Sequence, residues 1–331
     1  MREKRSRLAA AGALSAVTCF ALLAASCASS GEASTCPGTK SPTLISDSAD
    51  QAALEPNFRA FPQIEKRLSD AGQPVEGLSN LKVAASGSFS LGQFDAAAKQ
   101  LGVAKSDIVV LDLRKESHGF FGANMVSWYG PQNALNNDLK PAEVDARESA
   151  QLSSVTPTTP VVDRVTKCKA DRSIGESKPA TLPGPLNSAV TEETGILRTG
   201  AHYHRIYAAD HEYLTNEQID QFLAVYRNLP PNKWLLVHCA AGKGRTGQVL
   251  AYIDMLSNGS TLSPKQIADR QASVGASNVL KGADDEKSKD DSVTKRADIV
   301  TAFHAYAKQY PIGSKNPPTW SEWVAQHPLP V

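Results

Sequence analysis

The chain has 331 residues, room for one large domain or two modest ones, and its 41% hydrophobic and 21% charged residues fit an ordinary soluble globular protein. The net charge of +1 hides an asymmetry, because residues 1–26 set Arg2, Lys4, Arg5 and Arg7 against Glu3 and leave the remainder slightly negative. A near-neutral body with 6% aromatic residues excludes a general nucleic-acid binder, which needs a basic footprint and stacking platforms.

Residues 1–26 read as an export signal: the basic MREKRSR, then an Ala- and Leu-rich run from Leu8 to Ala25. Ala24, Ala25 and Ser26 lead to Cys27 in a pattern similar to a bacterial lipobox, with Ala24 where Leu is usual. Cys27 is therefore the candidate lipidation site, and simple cleavage followed by secretion is the alternative. The run is short for a bilayer span, and no other segment qualifies, so a lipid on Cys27 is the one expected membrane link. The expected location is the periplasm or the outer membrane of a bacterium, or the medium. In such an oxidising compartment Cys36 and Cys168 can pair or stay as thiols. Neither CxxC nor paired Cys/His spacing occurs, so no structural zinc site is expected.

Residues 27–55 are rich in Ser, Ala, Gly and Thr and read as a tether, with the folded domain at 56–331. Leu81–Ala84 predicts a short strand. Ser90 caps a helix through Phe94, Ala97 and Leu101 that Gly102 ends. Ile108–Leu113 is a continuous apolar, β-branched run, the pattern of a strand buried on both faces, with Arg114 at its end. The Pro- and Thr-rich stretch 150–197 reads as short strands and loops, a small β subdomain inserted into the main one. Tyr203–Tyr207 predicts a strand leading to Asp210. Thr215 and Gln218 form a capping box for a helix with Ile219, Phe222, Leu223 and Tyr226 on one face. Trp234–Val237 is a strand, 245–256 a helix, and Ser263 with Gln266 caps another. Strand and helix alternate, so the expected fold is α/β, a mostly parallel sheet flanked by helices. The charged stretch 281–298 reads as a solvated loop or frayed helix.

The chemistry concentrates where the WLLV strand ends. His238 precedes Cys239-Ala240-Ala241-Gly242-Lys243-Gly244-Arg245-Thr246, and a helix follows. A loop of this length between a strand end and a helix N-terminus can turn several N–H groups inward, and with the helix dipole they bind an anion. Gly242 and Gly244 allow the close backbone approach. Arg245 adds a bidentate grip on two phosphate oxygens. The same positive field favours the ionised, nucleophilic form of Cys239. Thr246 is placed to donate its hydroxyl to the sulfur, and His238 to orient the loop. A nucleotide P-loop fails, because Gly244 and not Ser or Thr follows Lys243. A buried structural cysteine, or a sulfur-transferase or arsenate-type cysteine loop, remains an alternative. Asp210 follows a strand and opens a loop, so it can reach the sheet edge that Cys239 occupies and serve as the acid. His211 beside it is a candidate substrate contact. The scheme requires no metal or other cofactor.

The signature HCAAGKGRTG is that of cysteine-based phosphatases, and the chain resembles the bacterial protein-tyrosine-phosphatase-like phytases, which act on inositol polyphosphates. The resemblance rests on VVLDLRKESHGFFGANMVSWYG (109–130), RIYAADH (205–211), IDQFLAVYRNLP (219–230), the loop, and WSEW (320–323). It implies a cysteine-phosphatase core with a partial-barrel subdomain. It also implies that Arg114 reaches substrate phosphate together with Lys243, Asp210, His211 and Arg245. Glu116 and His118 lie in a matching segment, where a structural hydrogen-bond network is the plain reading. Glu212, Tyr213 and Leu214 follow His211 where the family commonly has Trp-Pro, and no Tyr occurs in 276–298. The expected partner is a small polyanionic phosphate ester. A phosphotyrosine or phosphoinositide phosphatase is the nearest alternative, and a non-catalytic phosphate-binding module the more distant one.

Overall fold

The computed structural model describes residues 41–167, 174–281 and 291–329. Cys27, Cys36 and Cys168 fall outside them, and with them the lipidation and disulfide expectations. In chain order the strands are β1 (Thr43–Ser48), β2 (Arg59–Ala60), β3 (Val83–Ser86), β4 (Ile108–Asp112), β5 (His118–Phe121) and β6 (Asn124–Tyr129). They continue as β7 (Val162–Lys167), β8 (Ile174–Pro179), β9 (Ala189–Thr191), β10 (His202–Arg205) and β11 (Trp234–His238). The helices are α1 (Glu65–Asp70), α2 (Leu91–Leu101), α3 (Pro141–Ser153), α4 (Glu192–Arg198), α5 (Asn216–Arg227), α6 (Gly244–Asn258), α7 (Pro264–Ser273), α8 (Asp291–Gln309) and α9 (Trp320–Gln326).

The central sheet runs β10-β4-β11-β3-β2; its first four strands are parallel and the edge strand β2 is antiparallel to β3. Its inner strands β3, β4 and β11 are buried on both faces, and alternate residues of β4 and β11 divide between two cores. Val109, Leu111, Leu235 and Val237 face one side, packed with residues of α5 to α9. Ile108, Val110, Trp234 and Leu236 face the other, with Phe94 of α2, Ile196 of α4, and Phe120 and Met125. This explains why the IVVLD and WLLV runs are continuously apolar. The predicted capping boxes at Ser90, Thr215 and Ser263 are all formed, and Gly102 takes the left-handed C-cap at φ 70°. Trp320 and Trp323 of the WSEW segment stack at 5.4 Å between ring centroids and close the helical core.

The second sheet draws on more of the chain than expected. Its order is β8-β7-β1-β6-β5-β9, an open sheet and not a closed barrel. Only β7, β8 and β9 come from 150–197; β1 comes from the stretch read as tether, and β5 and β6 follow β4 directly. The strand TLISDS was illegible because it has one buried position, Leu44, and is held by backbone pairing to β6 and β7 and not by apolar alternation. In the charged C-terminal stretch, α8 begins at Asp291.

Candidate active site

Cys239 sits in the turn from β11 into α6, at the carboxyl ends of the parallel strands, where open α/β sheets bind ligands. Its side chain is buried, 3% exposed. The conformation of the following loop is imposed from outside through its carbonyls. Cys239 O accepts from Ser88 Oγ at 3.4 Å and Ala240 O from Ser88 N at 3.0 Å. Ala241 O accepts from Asn57 Nδ2 at 2.9 Å, Gly242 O from Arg59 Nη2 at 2.8 Å, and Lys243 O from Ser277 N at 3.1 Å. A planar trans peptide points its C=O and N–H in opposite directions. Holding these consecutive carbonyls outward therefore turns the amides of 240–244 to the opposite side, as an anion cradle at the helix N-terminus.

Gly242 has φ +68°, and a Cβ there would lie 2.5 Å from the Ser86 carbonyl and 2.6 Å from Gly87 N, so the turn admits no other residue. Gly244 has open space around it, so the expected need for glycine holds at 242 alone.

Arg245 is buried and held by Glu116: Nη1 donates to Oε2 at 2.7 Å and Nη2 to Oε1 at 2.8 Å. Nη1 also reaches the carbonyls of Leu113 and Ala208, and Nη2 lies 3.1 Å from Asp210 Oδ1. Among the described residues its buried Nε has no partner, a donor left for an anion. Burial opposes the charge on this guanidinium, but Glu116 outweighs it, with Asp210 and Cys239 adding to the effect. Burial alone would likewise raise the Glu116 carboxyl; Arg245, then Arg114, reverse this and hold it well below the usual carboxylate range.

Asp210 stands where the strand order placed it. Oδ1 faces Arg245 and accepts from His211 N at 3.1 Å, while Oδ2 accepts from Asn133 Nδ2 at 3.0 Å. His211 has φ +66° and an exposed ring. Lys243 is exposed at the helix start.

Three of the expected site residues, Arg114, His238 and Thr246, are buried. Arg114 is 1% exposed, with Nη1 2.8 Å from Asp47 and 2.7 Å from Ser88 Oγ, and Nε 3.2 Å from Glu116. These contacts engage Nη1 and Nε and brace Glu116, and Nη2 makes no hydrogen bond among the described residues. Thr246 does not bond the sulfur; its hydroxyl is buried without a partner. His238 does hold the loop base, its carbonyl accepting from Leu113 N, but its ring turns the other way, into a buried charge cluster.

In that cluster His238 Nε2 lies 3.1 Å from Glu192 Oε1, without hydrogen-bond geometry. His118 Nε2 lies 2.8 Å from Glu192 Oε2 and 3.3 Å from Asp112 Oδ2, and Nδ1 donates to Glu116 O. Burial and Arg114 oppose the imidazolium, yet Asp112 prevails and the His118 pKa rises from 6.5 to about 10. The folded state therefore binds the extra proton between these values. Its stabilisation is complete below pH 6.5 and is lost as pH climbs through about 10. The Tm is expected to fall by several degrees between pH 7 and pH 10, and less in His118→Gln. Equal pH dependence in both proteins would refute the charged His118.

The loop spacing and Asp210 were legible, whereas Asn57, Arg59, Ser88, Asp47, Asn133 and Glu192 were missed. Arg59 left one signal: a charge between Phe58 and Phe61 in an apolar run requires a buried partner. It is 2% exposed, and Cys239 and Glu55 support its charge against burial.

A strand–loop–helix cradle over a buried cysteine, with arginine and aspartate in contact beside it, defines the cysteine-phosphatase class. The family model of PTP-like phytases, whose description names inositol hexakisphosphate, matches residues 111–257. A PTP-like phytase from Bdellovibrio bacteriovorus is 30% identical with a TM-score of 0.63, covering 88% of this chain and 98% of that one. The chain belongs to the PTP-like phytase family. A PTP-like myo-inositol phosphatase from Mitsuokella multacida, solved with myo-inositol-(1,3,4,5)-tetrakisphosphate, is 29% identical with a TM-score of 0.71 over 88% of this chain and 49% of that one. Effector protein hopD2 of Pseudomonas syringae pv. tomato is 30% identical over 260 residues, 77% of this chain and 54% of that protein. The chain thus spans about half the length of these two relatives.

Proposed function

We propose that this chain removes phosphate from inositol polyphosphates through a cysteinyl-phosphate. The observation that carries the reading is the row of outward-held carbonyls above Cys239, with Arg245 3.1 Å from Asp210. In the first step Cys239 Sγ attacks phosphorus, the bond from phosphorus to the inositol oxygen breaks, and Asp210 gives that oxygen its proton. In the second, Asp210 takes a proton from water, whose oxygen attacks phosphorus; the S–P bond breaks, releasing phosphate and restoring the thiolate. The amides of Ala240 to Gly244 and Arg245 Nε stabilise the equatorial oxygens. Lys243 and His211, exposed at the rim, meet further phosphates on the ring. The relative bound to an inositol tetrakisphosphate supports this substrate class.

The test is phosphate release from phytate, a phosphotyrosine peptide and a phosphoinositide under one set of conditions. Phytate is expected to be turned over fastest. A higher kcat/KM on either other substrate would overturn the substrate assignment, and inactivity on all three would favour a phosphate-binding module. We also propose export with lipidation at Cys27, supported by the basic and apolar character of residues 1–26 and the small residues before that cysteine. Mass spectrometry of the mature N-terminus tests it, and an unprocessed Met1 would overturn it.

A further inference from the structure

The turn after β6 is strained. Gln132 and Asn133 have φ of 57° and 59°, consecutive left-handed conformations in residues that carry a Cβ. Such strain survives only where the surroundings impose it, and it gathers at functional sites. Here it places one amide. Asn133 is 8% exposed, and its Nδ2 donates both hydrogens to carboxylates, at 3.2 Å to Glu116 Oε1 and at 3.0 Å to Asp210 Oδ2. The ionised Glu116 carboxylate only accepts, so the amide nitrogen must face it.

We propose that Asn133 is a positioning residue that sets the acid, Asp210, in fixed register with the Glu116–Arg245 pair; this rests on the phosphatase reading above. Two groups from other elements hold the Asp210 carboxylate. Arg245 is one, but it must also serve the phosphate. Asn133 is the other, and it is neutral, so it holds the carboxylate without competing for the anion. The remaining charged groups around Asp210 are His211, with Nε2 at 3.8 Å, and Arg296 of α8, which donates to His211 O. Lys115 turns away to the Asn137 carbonyl.

The test compares wild type, Asn133→Ala, Asp210→Asn and the double variant on phytate and on p-nitrophenyl phosphate, whose leaving group needs little protonation. Asn133→Ala should lower kcat on phytate by about 10-fold, the worth of one hydrogen bond to a charged group, and lower it less on the aryl ester. Losing a donor to the ionised carboxylate should also move the alkaline limb of the phytate pH profile to higher pH. In the Asp210→Asn background the same change should add nothing. Asn133→Asp keeps the side-chain shape but adds a third carboxylate, so it should raise that limb too, and it serves where the alanine variant does not fold. Equal losses on both substrates with an unmoved alkaline limb, or a full further loss in the double variant, would overturn the proposal. Wild type inactive on both substrates overturns the phosphatase reading and this proposal with it, whereas active wild type with unchanged Asn133→Ala overturns the proposal alone.

Discussion

Cys239→Ser should abolish phosphate release from phytate, by about 10⁴-fold or more, while leaving the fold and anion binding in place. Anion binding belongs to backbone amides, and their direction is set by Ser88, Asn57, Arg59 and Ser277 acting on loop carbonyls. None of those bonds uses the sulfur. Serine occupies less volume than cysteine, so nothing is displaced at this buried position. What disappears is the nucleophile, because a serine hydroxyl ionises far less readily than a thiol. Calorimetry with phytate should find binding retained and no turnover. Turnover within about 10-fold of wild type would end the cysteinyl-phosphate mechanism. Loss of binding together with turnover would place the sulfur inside the cradle's support.

The second large effect falls on stability. Glu116 is the buried anion for two buried arginines, and Asn133 donates to it as well. Removing one partner of such a group leaves uncompensated charge and costs about 3–5 kcal/mol. Arg114 keeps Asp47 and Arg245 keeps Asp210, but Arg245 loses two bonds to Glu116 where Arg114 loses one, so it bears most of the loss. Glu116→Ala should therefore lower the Tm by on the order of 10 °C and abolish activity, since the guanidinium loses the bidentate contact that orients it. Glu116→Gln, which keeps the shape, should lose less. The sign of the pH effect follows from the depressed carboxyl pKa. The stabilisation is present above the unfolded value of 4.5 and is lost as pH falls below it, so the alanine and wild-type curves should converge in acid. A Glu116→Ala protein within about 1 kcal/mol of wild type would mean that Arg245 is held by other contacts.

The parts that could be read directly are contiguous in the chain. Cys239, Gly242 and Arg245 share one turn between an adjacent strand and helix. The central strands were legible because both faces are buried and the apolar runs are unbroken. Asp210 was found through topology, since a strand end in a parallel sheet points to the same edge as its neighbour. Arg114 was assigned through the family resemblance and Thr246 from its place after the loop; the hydroxyl of Thr246 does not meet the sulfur, because burial and nearby groups, invisible locally, decide where a side chain turns.

By itself, the amino-acid order determined the cysteine–arginine loop, the aspartate at the sheet edge and the alternation of strand and helix, because each depends on spacing within a few turns of chain. Tertiary structure alone decided what aims them. The donors that turn the loop carbonyls outward lie 151–184 residues away in sequence, at Ser88, Asn57 and Arg59. The second sheet gathers strands from three separate stretches, with few apolar positions to announce them. Hydrogen bonds and ion pairs between distant segments leave no periodic trace in a chain, so they become visible only when folding brings their partners within about 3 Å.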